Sequence, residues 1–315
     1  MNTPLITIGI LSYNAADTIQ RAILSAYNQD WANKEIVIID DASMDQSVSV
    51  IQDTIRDMPY ARLVVHEKNR GTGAARNSII ENAEGECIVF FDDDDESHPE
   101  RIRAQYERIT QYEQEQSVSL IACYCSGERV YPNGYRYPLH AIGSQPDIPH
   151  GNGVADRLLF YGGQNKNWFF GDGTPTCSLM ARKSTFESAG KFDPELKRVE
   201  DVDFAIRLAL KGGHFIGCPE KLFIQYATEG ADKSHERKRD AALLLVEKNK
   251  DYLKSIGMYR YAHTWPYIRY YNFTKQYGLM AGKLLYLSFY HPLRVIKHLM
   301  STGPARILHE RRMSS

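Results

Sequence analysis

Residues 87–95 read CIVFFDDDD, an apolar run that ends in four consecutive aspartates. Two earlier stretches have the same design, residues 5–14 (LITIGILSYN) and residues 35–43 (EIVIIDDAS). Short runs rich in β-branched and aromatic residues are typical of strands. The three stretches therefore predict three strands, each of which ends in polar side chains.

Segments with the apolar spacing of helices separate these strands. They lie at 18–27, 47–58 and 73–83, and a further strand is predicted at 62–65. This alternation predicts an α/β fold with a Rossmann-like, mostly parallel central sheet flanked by helices. Ligands of such sheets bind beyond the carboxyl ends of the strands, so we expect the polar residues there to face one crevice.

The composition is that of a water-soluble globular protein. Of 315 residues, 43% are hydrophobic and 24% are charged, which argues against a disordered chain and against a membrane bundle. No apolar run is long enough to span a bilayer, and no secretory leader is visible. We expect a cytoplasmic protein in which the five scattered cysteines are reduced and buried.

The second half of the chain has a weaker pattern. Residues 118–137 predict a strand and a hairpin, whereas residues 138–175 have little periodicity and are interpreted as a functional loop region. Residues 177–181 predict a short strand. Apolar spacing in residues 200–210 predicts a helix that begins with two acidic side chains.

The four aspartates Asp92 to Asp95 form the strongest candidate for a metal site. Like charges this close repel one another, and a divalent cation removes that penalty. Hard oxygen ligands suit Mg²⁺ or Mn²⁺, which complete their coordination with water and substrate phosphates. The alternative is a solvated acidic turn that caps the helix predicted near Pro99.

Polar residues after the first two strands favour a nucleotide. Ser12, Asn14 and Asp41 are predicted to reach the same crevice, where a carboxylate accepts hydrogen bonds from a nucleobase or a ribose. The alternative for Asp41 is a helix N-cap cluster. Residues 71–77 open a helix and are a weak candidate for an anion site, because Arg76 replaces a small residue of the dinucleotide fingerprint.

Several segments resemble, in order and spacing, family 2 glycosyltransferases of the GT-A fold. The resemblance covers roughly residues 5–225 and leaves the rest of the chain uncovered. The segments that carry it are IGILSYN (8–14), SAYNQD (25–30), IIDDASMD (38–45), NRG (69–71), ARN (75–77), FDDDD (91–95), GKFD (190–193) and EDVDF (200–204).

The resemblance implies a role for each site residue. Asp41 contacts a uracil-like base, Asp92 or Asp93 faces the ribose, and Asp94 binds the metal. Asp201 is the implied catalytic base. The position of Asp93 is often small in the family, so the division of roles among the four aspartates stays open. The predicted nucleotide-binding set also contains Ser12, Asn14 and Arg76.

The implied reaction requires such a set of residues. The leaving diphosphate needs charge neutralisation by a cation, and the acceptor hydroxyl must lose a proton as it attacks the anomeric carbon. A carboxylate beneath that hydroxyl predicts a single displacement with inversion. Asp201 is the preferred base and Glu200 the second candidate, whereas Asp203 projects about 200° away from Asp201 on a helix.

The resemblance also predicts the substrates. The donor is expected to be a nucleotide-sugar, with a UDP-sugar favoured, and the acceptor a glycan or a lipid-linked glycan. Trp168, Gly173 and Thr174 are predicted to bind the acceptor, and core packing is the alternative for the aromatic side chain.

We divide the chain into two regions. The first is a GT-A catalytic domain at 1–225, in which residues 1–117 are expected to bind the nucleotide-sugar and residues 118–225 form the acceptor side. The second is a helical basic extension at 226–315.

Charge is unevenly distributed along the chain. Residues 252–315 contain ten Lys and Arg and one acid, a net charge of +9, whereas residues 1–251 have a net charge of -10. Basic segments interleaved with Tyr and Trp suit an anionic membrane surface, which predicts a peripheral position at the cytoplasmic face of the inner membrane. Nucleic acid is not expected as a partner, and packing on the body or an oligomer contact are the alternatives.

Two other functions share these sequence features. A nucleotidyltransferase has a similar sheet and an acidic metal site, and it releases pyrophosphate from a nucleoside triphosphate. A non-catalytic homologue that binds glycans or membranes binds a nucleotide without transferring a sugar. The presence of both Asp94 and Asp201 disfavours this last alternative.

Overall fold

The computed structural model describes residues 3–162, 165, 167–227 and 234–300. Its strands are β1 (Ile6–Ser12), β2 (Lys34–Asp40), β3 (Ala61–Val65), β4 (Cys87–Asp92), β5 (Glu96–Ser97), β6 (Ile121–Val130), β7 (Arg136–Leu139), β8 (Leu179–Arg182) and β9 (His214–Tyr226). Its helices are α1 (Ile19–Tyr27), α2 (Ser47–Ile55), α3 (Thr72–Asn82), α4 (Arg101–Gln116), α5 (Asn152–Phe160), α6 (Lys183–Ala189), α7 (Glu200–Leu210), α8 (His235–Lys248), α9 (Lys250–Ser255), α10 (Tyr259–Phe273) and α11 (Tyr277–Tyr290).

The described strands form one nine-stranded sheet in the order β3-β2-β1-β4-β8-β6-β9-β5, and β7 pairs with β6. The neighbours β3, β2, β1 and β4 run parallel. Strand β8 then pairs antiparallel with both β4 and β6, and β6 runs parallel to β9. The α/β fold with a Rossmann-like parallel part and flanking helices is therefore confirmed.

Strand β1 is buried on both faces, as a central parallel strand must be. On one face Ile8 and Ile10 pack in the core with Ile23 of α1, and each side chain of this kind contributes about 1.5–3 kcal/mol through its burial. On the other face a β-carbon at Gly9 would lie 2.3 Å from Ile79 of α3. The glycine therefore lets α3 pack directly on the strand.

The strand register brings together the polar residues that were predicted at the ends of β1, β2 and β4. Ser12 pairs with Asp40, and Leu11 pairs with Asp92. Because the three strands are parallel, their carboxyl ends meet at one edge of the sheet, and the polar side chains that follow them share it. The expected crevice is thus built by strand order and register.

The second half of the sheet contains both confirmed and missed elements. The hairpin of β6 and β7 is present, and its turn contains Gly134 with a φ of 81°. Helix α5 lies inside the segment 138–175, which the sequence predicts as a loop. Most of its apolar residues are buried, but two glycines near its start (Gly151 and Gly153) hide the helical pattern.

A second missed helix, α6, is short and ends just before Gly190, whose φ of 90° stops the helix. The chain then docks on α3. The Asn77 side chain donates to the carbonyl of Phe192 and accepts from its N–H, at 2.8 and 2.9 Å. These two hydrogen bonds hold the segment that leads into α7 against α3.

The described residues divide into two compact units, one within Met1–Ala155 and Gln164–Ala227 and the other within Asp156–Gly163 and Thr228–Ser315. The five cysteines all lie in the first unit, where they are buried and unpaired as predicted. In the second unit α10 packs on α8 and α11, and Trp265 stacks on His298 with 3.6 Å between the ring centroids. Among the described helices, none has both the length and the apolar character that crossing a bilayer requires.

Candidate active site

The predicted nucleotide side of the crevice begins with Ser12 and Asp41. Ser12 is fully buried at the end of β1, and its Oγ has no hydrogen-bond partner among the described residues. Its carbonyl accepts from the N–H of Asp41 at 2.9 Å, which ties the ends of the first two strands together. A buried hydroxyl without a partner is available to a ligand.

Asp41 is buried and lies at the centre of a hydrogen-bond network. Its Oδ1 lies 2.6 Å from Nδ1 of His66 and accepts from the N–H of Arg70, and its Oδ2 accepts from the N–H of Gly71. The other ring nitrogen of His66 lies 2.9 Å from Oγ of Ser78 in α3. Asp41 thus holds the loop that leads into α3, and its contact with a nucleobase stays a prediction.

Asn14 organises the neighbouring loop. Its φ is 52°, its N–H donates to Oγ of Ser43, and its Oδ1 accepts from the N–H of Met44. Asp40 in turn accepts from both the N–H and the hydroxyl of Ser43. Asn14 therefore joins two loops of the crevice, and its predicted contact with a nucleotide is not tested by this geometry.

Each member of the four-aspartate turn has a different environment. Asp93 accepts from the N–H of Tyr13 at 3.0 Å, and the main-chain carbonyl of Asp94 accepts from Arg21 at 2.6 Å. Asp95 is 5% exposed. Its Oδ1 accepts from the N–H of Tyr226, whereas its Oδ2 accepts from no described residue.

Burial makes this turn electrostatically costly without a cation. Desolvation, with the charges of the neighbouring aspartates, raises the pKa of Asp93 to about 7 and that of Asp95 to about 8. Desolvation also raises the pKa of Asp92, against the opposing effect of Arg76. A raised pKa means that the ionised form of these carboxyl groups is disfavoured. A bound cation stabilises the ionised form.

The donor atoms suit a hard divalent ion. Oxygens of Asp92 and Asp95 and the sulfur of Cys177 lie within 4.8 Å of one another. Burial raises the pKa of the Cys177 thiol well above its usual value, so the sulfur is a neutral neighbour of two carboxylates, whose oxygens are the type of ligand that Mg²⁺ and Mn²⁺ prefer. Asp94, the ligand implied by the sequence, is not in this group, and its role stays a prediction.

Arg76 connects the two sides of the crevice. It is 8% exposed, its NH1 donates to Oε1 of Glu200, and its NH2 lies 3.8 Å from Oδ1 of Asp92. Its guanidinium carbon also lies 5.6 Å from the ring centroid of Phe192. The charge of Arg76 is thus already compensated by two acidic groups, and Glu200 is engaged in a buried ion pair.

Asp201 and Asp203 point to different environments on α7. Asp203 is fully buried and accepts from Nε of Arg207 at 2.8 Å. Asp201 is half-buried, and its Oδ1 accepts from the N–H of Val202. Desolvation and the charge of Glu200 raise the pKa of Asp201 to about 6. A carboxylate with a pKa near 6 is suited to accept a proton at neutral pH.

The turn before α7 is strained. Val199 has a φ of 60°, and a β-branched residue rarely adopts this left-handed conformation. Its carbonyl accepts from the N–H of Asp203, so the strained residue forms part of the first helical turn. Strain of this kind persists where the surrounding structure enforces it, and here it lies two residues before Asp201, the predicted base.

The three predicted acceptor residues lie in dissimilar settings. Trp168 is half-buried, and its ring centroid lies 5.1 Å from that of His150 and 6.2 Å from that of Phe170. Thr174 is buried, and its Oγ1 has no partner among the described residues. Gly173 has a φ of 103° and open space at its β-carbon.

Gly173 and Cys177 line a cavity of about 150 Å³. Asp172 and His140 line it as well, and the Asp172 carboxylate accepts from the N–H of His140 at 2.7 Å. Since Cys177 is close to Asp92 and Asp95, the cavity borders the acidic turn. Binding of an acceptor by Trp168, Gly173 and Thr174 stays a prediction.

Sequence reasoning missed one residue of this site, His66, and left open the role of another, Asp95. Asp95 is the most enclosed carboxylate of the turn, but four identical letters do not show which side chain points inward. His66 follows β3 without a motif, although its position at the end of a predicted parallel strand was a usable signal.

Replacing His66 by alanine is expected to lower the free energy of unfolding by about 1–3 kcal/mol, because Asp41 and Ser78 lose a buried hydrogen-bond partner. The predicted binding of UDP should weaken as well, since the loop at Gly71 loses its support. Urea unfolding and calorimetry measure the two effects. His98→Ala is the matched control, because the His98 side chain is 55% exposed. Equal stability of the two variants would show that the network is not structural.

Comparison with known proteins gives a consistent picture. The family model described as glycosyl transferase family 2 matches residues 7–186. The putative colanic acid biosynthesis glycosyl transferase WcaA of Escherichia coli K12 is 30% identical over 217 residues, which cover 67% of this chain and 68% of WcaA. The succinoglycan biosynthesis protein ExoO of Rhizobium meliloti is 42% identical over 105 residues, 33% of this chain. The aligned stretch spans 30% of ExoO.

Solved structures share the fold. Staphylococcus aureus TarS in complex with UDP-GlcNAc superposes with a TM-score of 0.61 at 20% identity, over 93% of this chain and 79% of the other. The mannosyltransferase PcManGT of Pyrobaculum calidifontis, in complex with GDP-Man and Mn²⁺, gives a TM-score of 0.55 at 17% identity, over 98% of this chain and 81% of the other.

Proposed function

This chain belongs to glycosyl transferase family 2, and we propose that it is a glycosyltransferase that transfers a sugar from a UDP-sugar to a glycan or lipid-linked glycan with inversion and with a divalent metal. The observation that carries the metal-dependent part is the convergence of Asp92, which is half-buried, with Asp95, which is buried. Their oxygens converge, and Oδ2 of Asp95 accepts from no described residue. When bound there, Mg²⁺ or Mn²⁺ neutralises the charge of the leaving diphosphate.

The nucleotide is proposed to occupy the ends of β1, β2 and β4. Ser12 offers a buried hydroxyl without a partner among the described residues, and Asp41 offers the lone pairs that its three donors leave open. Asn14, Arg76 and Asp93 complete the proposed set. The complexes of TarS with UDP-GlcNAc and of PcManGT with GDP-Man support a nucleotide-sugar donor, and UDP is our choice of nucleotide.

Asp201 is the proposed general base. It stands in the first turn of α7, it is half-buried, and the rival carboxylates Glu200 and Asp203 are each paired with an arginine. Asp201 would take the proton of the acceptor hydroxyl at its carboxylate as the oxygen attacks the anomeric carbon. One displacement on the face opposite the leaving diphosphate inverts the anomeric configuration.

The proposed base predicts a pH profile. Since burial and Glu200 raise the pKa of Asp201 to about 6, the ionised and active form is present above that pH and is lost below it. The turnover number kcat should therefore fall about tenfold for each pH unit below 6. Initial rates of UDP release between about pH 4.5 and 8 test this. A flat profile in a protein that stays folded over this range would remove Asp201 from the proton transfer.

The relatives suggest a setting for the reaction. ExoO and WcaA are named for the biosynthesis of succinoglycan and colanic acid, and we propose bacterial polysaccharide assembly as the role of this chain. Trp168, Gly173 and Thr174 are the proposed acceptor contacts. The basic C-terminal part is the proposed contact with an anionic membrane surface, at the cytoplasmic face of the inner membrane.

A further inference from the structure

The outward side of α11 and of the helical segment 292–300 is apolar. Leu285, Phe289 and Leu293 are 73%, 81% and 82% exposed, and Ile296 and Met300 continue the row. Within α11, Leu285 and Phe289 are four residues apart. Within segment 292–300, Leu293, Ile296 and Met300 are three and four residues apart, so in each helix the spacing keeps these side chains on one side. We call these five side chains the apolar face.

The inward side of the same segments is covered. Leu287, Val295 and His298 are buried, and α11 packs on α10. A surface helix of a soluble protein normally turns charged and polar residues outward. A row of large apolar side chains on the outward side therefore indicates a surface that is covered by a membrane or by another protein molecule.

The charge of the surrounding segment indicates which kind of partner covers the apolar face. The sequence has no Asp or Glu between residues 252 and 309, whereas the same stretch contains eight Lys and Arg. At the edge of the apolar face, the guanidinium of Arg260 lies 3.8 Å from the ring centroid of Tyr290. Lys297 is exposed beside Ile296. The surface thus combines exposed aliphatic and aromatic side chains with cations and lacks acids from its own segment.

We propose that the apolar face inserts into the interfacial layer of an anionic membrane, with Arg260 and Lys297 contacting lipid phosphates. The exposed rings of Tyr286 and Tyr290 suit the headgroup level, where amphipathic aromatic side chains concentrate. The helices lie on the membrane, because none of those described is built to cross it. This goes beyond attraction by net charge, since apolar side chains leave water.

A second copy of this chain is the other candidate for the partner that covers the apolar face. In a symmetric dimer through the apolar face, Arg260 and Lys297 of one copy would meet the same cations of the other, and segment 252–309 offers no acid to compensate them. An anionic lipid surface compensates them directly. The charge pattern therefore favours the membrane.

The test is co-sedimentation of the full-length protein with vesicles of phosphatidylcholine, with and without phosphatidylglycerol. We expect binding to the anionic vesicles that weakens with salt but persists at about 1 M, where charges are screened within about 3 Å. The triple variant Leu285→Gln, Phe289→Gln, Leu293→Gln should bind at least about tenfold more weakly. Leu244→Gln is the matched control, an apolar side chain of α8 that is 49% exposed and lies outside the face.

A second measurement does not depend on loss of binding. Phe289→Trp should show a blue-shifted emission on anionic vesicles and quenching by lipids with brominated acyl chains. UDP binding by the triple variant should match that of the unchanged protein, which separates this proposal from the transfer reaction. Complete release by salt with no effect of the triple variant would overturn insertion. A dimer in the absence of vesicles that the triple variant dissociates would overturn it as well and assign the face to a second copy.

Discussion

Replacing Asp201 by asparagine is expected to lower kcat by about 10²–10⁴, the usual contribution of a general base, while the affinity for UDP stays the same. The change removes the proton acceptor but keeps the size of the side chain and its acceptor oxygen for the N–H of Val202. Rates of sugar transfer and calorimetry with UDP separate the two effects. The acid limb of the pH profile should disappear together with the activity.

Two other variants make this result specific. Asp53→Asn changes an exposed aspartate of α2 and should leave the rate unchanged. Glu200→Gln weakens the buried ion pair with Arg76 and is expected to lower both UDP affinity and kcat, because Arg76 also lies near Asp92. If Asp201→Asn transfers sugar at nearly the unchanged rate, the base is another group.

Removal of the metal is expected to weaken UDP binding by on the order of 10²-fold, because the diphosphate then meets the acidic turn without a cation between them. Calorimetry with Mn²⁺ and with EDTA measures the difference. Asp94→Ala and Asp95→Asn should each reproduce the effect of EDTA in the presence of Mn²⁺ if both side chains bind the ion. Asp53→Asn again serves as the control.

Asp95 offers an independent readout in the metal-free protein. Its raised pKa of about 8 means that the folded state binds a proton more tightly than the unfolded state does, so stability decreases as pH rises toward 8. Asp95→Asn should therefore raise the melting temperature at about pH 8.5 without metal and reduce the increase caused by Mn²⁺.

Equal UDP affinity in Mn²⁺ and in EDTA would exclude a metal from the donor site.

The parallel part of the fold was predictable because its signals are local. The apolar runs at 5–11, 35–39 and 87–91 correspond to β1, β2 and β4, and the polar residues after them do meet at one edge. Helix α7 was predictable from its apolar spacing. Helices α5 and α6 were missed because they are short and bordered by glycines, so tertiary burial decides their structure.

Most residues of the candidate site were predictable from the sequence, whereas the contacts between them were less so. The resemblance to the family assigned roles to Asp41, Asp94 and Asp201. It did not show that His66 engages Asp41, or that the enclosed oxygen belongs to Asp95. These contacts join residues far apart in the sequence, and side-chain direction within a turn of identical residues depends on packing. The apolar face was hidden for the same reason, because sequence spacing does not tell which side of α11 is covered.

Thermal unfolding of the full-length protein with a panel of nucleotide-sugars, in Mn²⁺ and in EDTA, tests the proposed donor and the proposed metal together. A ligand that binds the folded state raises the melting temperature by mass action. We expect an increase with UDP-sugars in Mn²⁺ and little change in EDTA. An increase with nucleoside triphosphates alone, accompanied by release of pyrophosphate, would contradict this function and identify a nucleotidyltransferase.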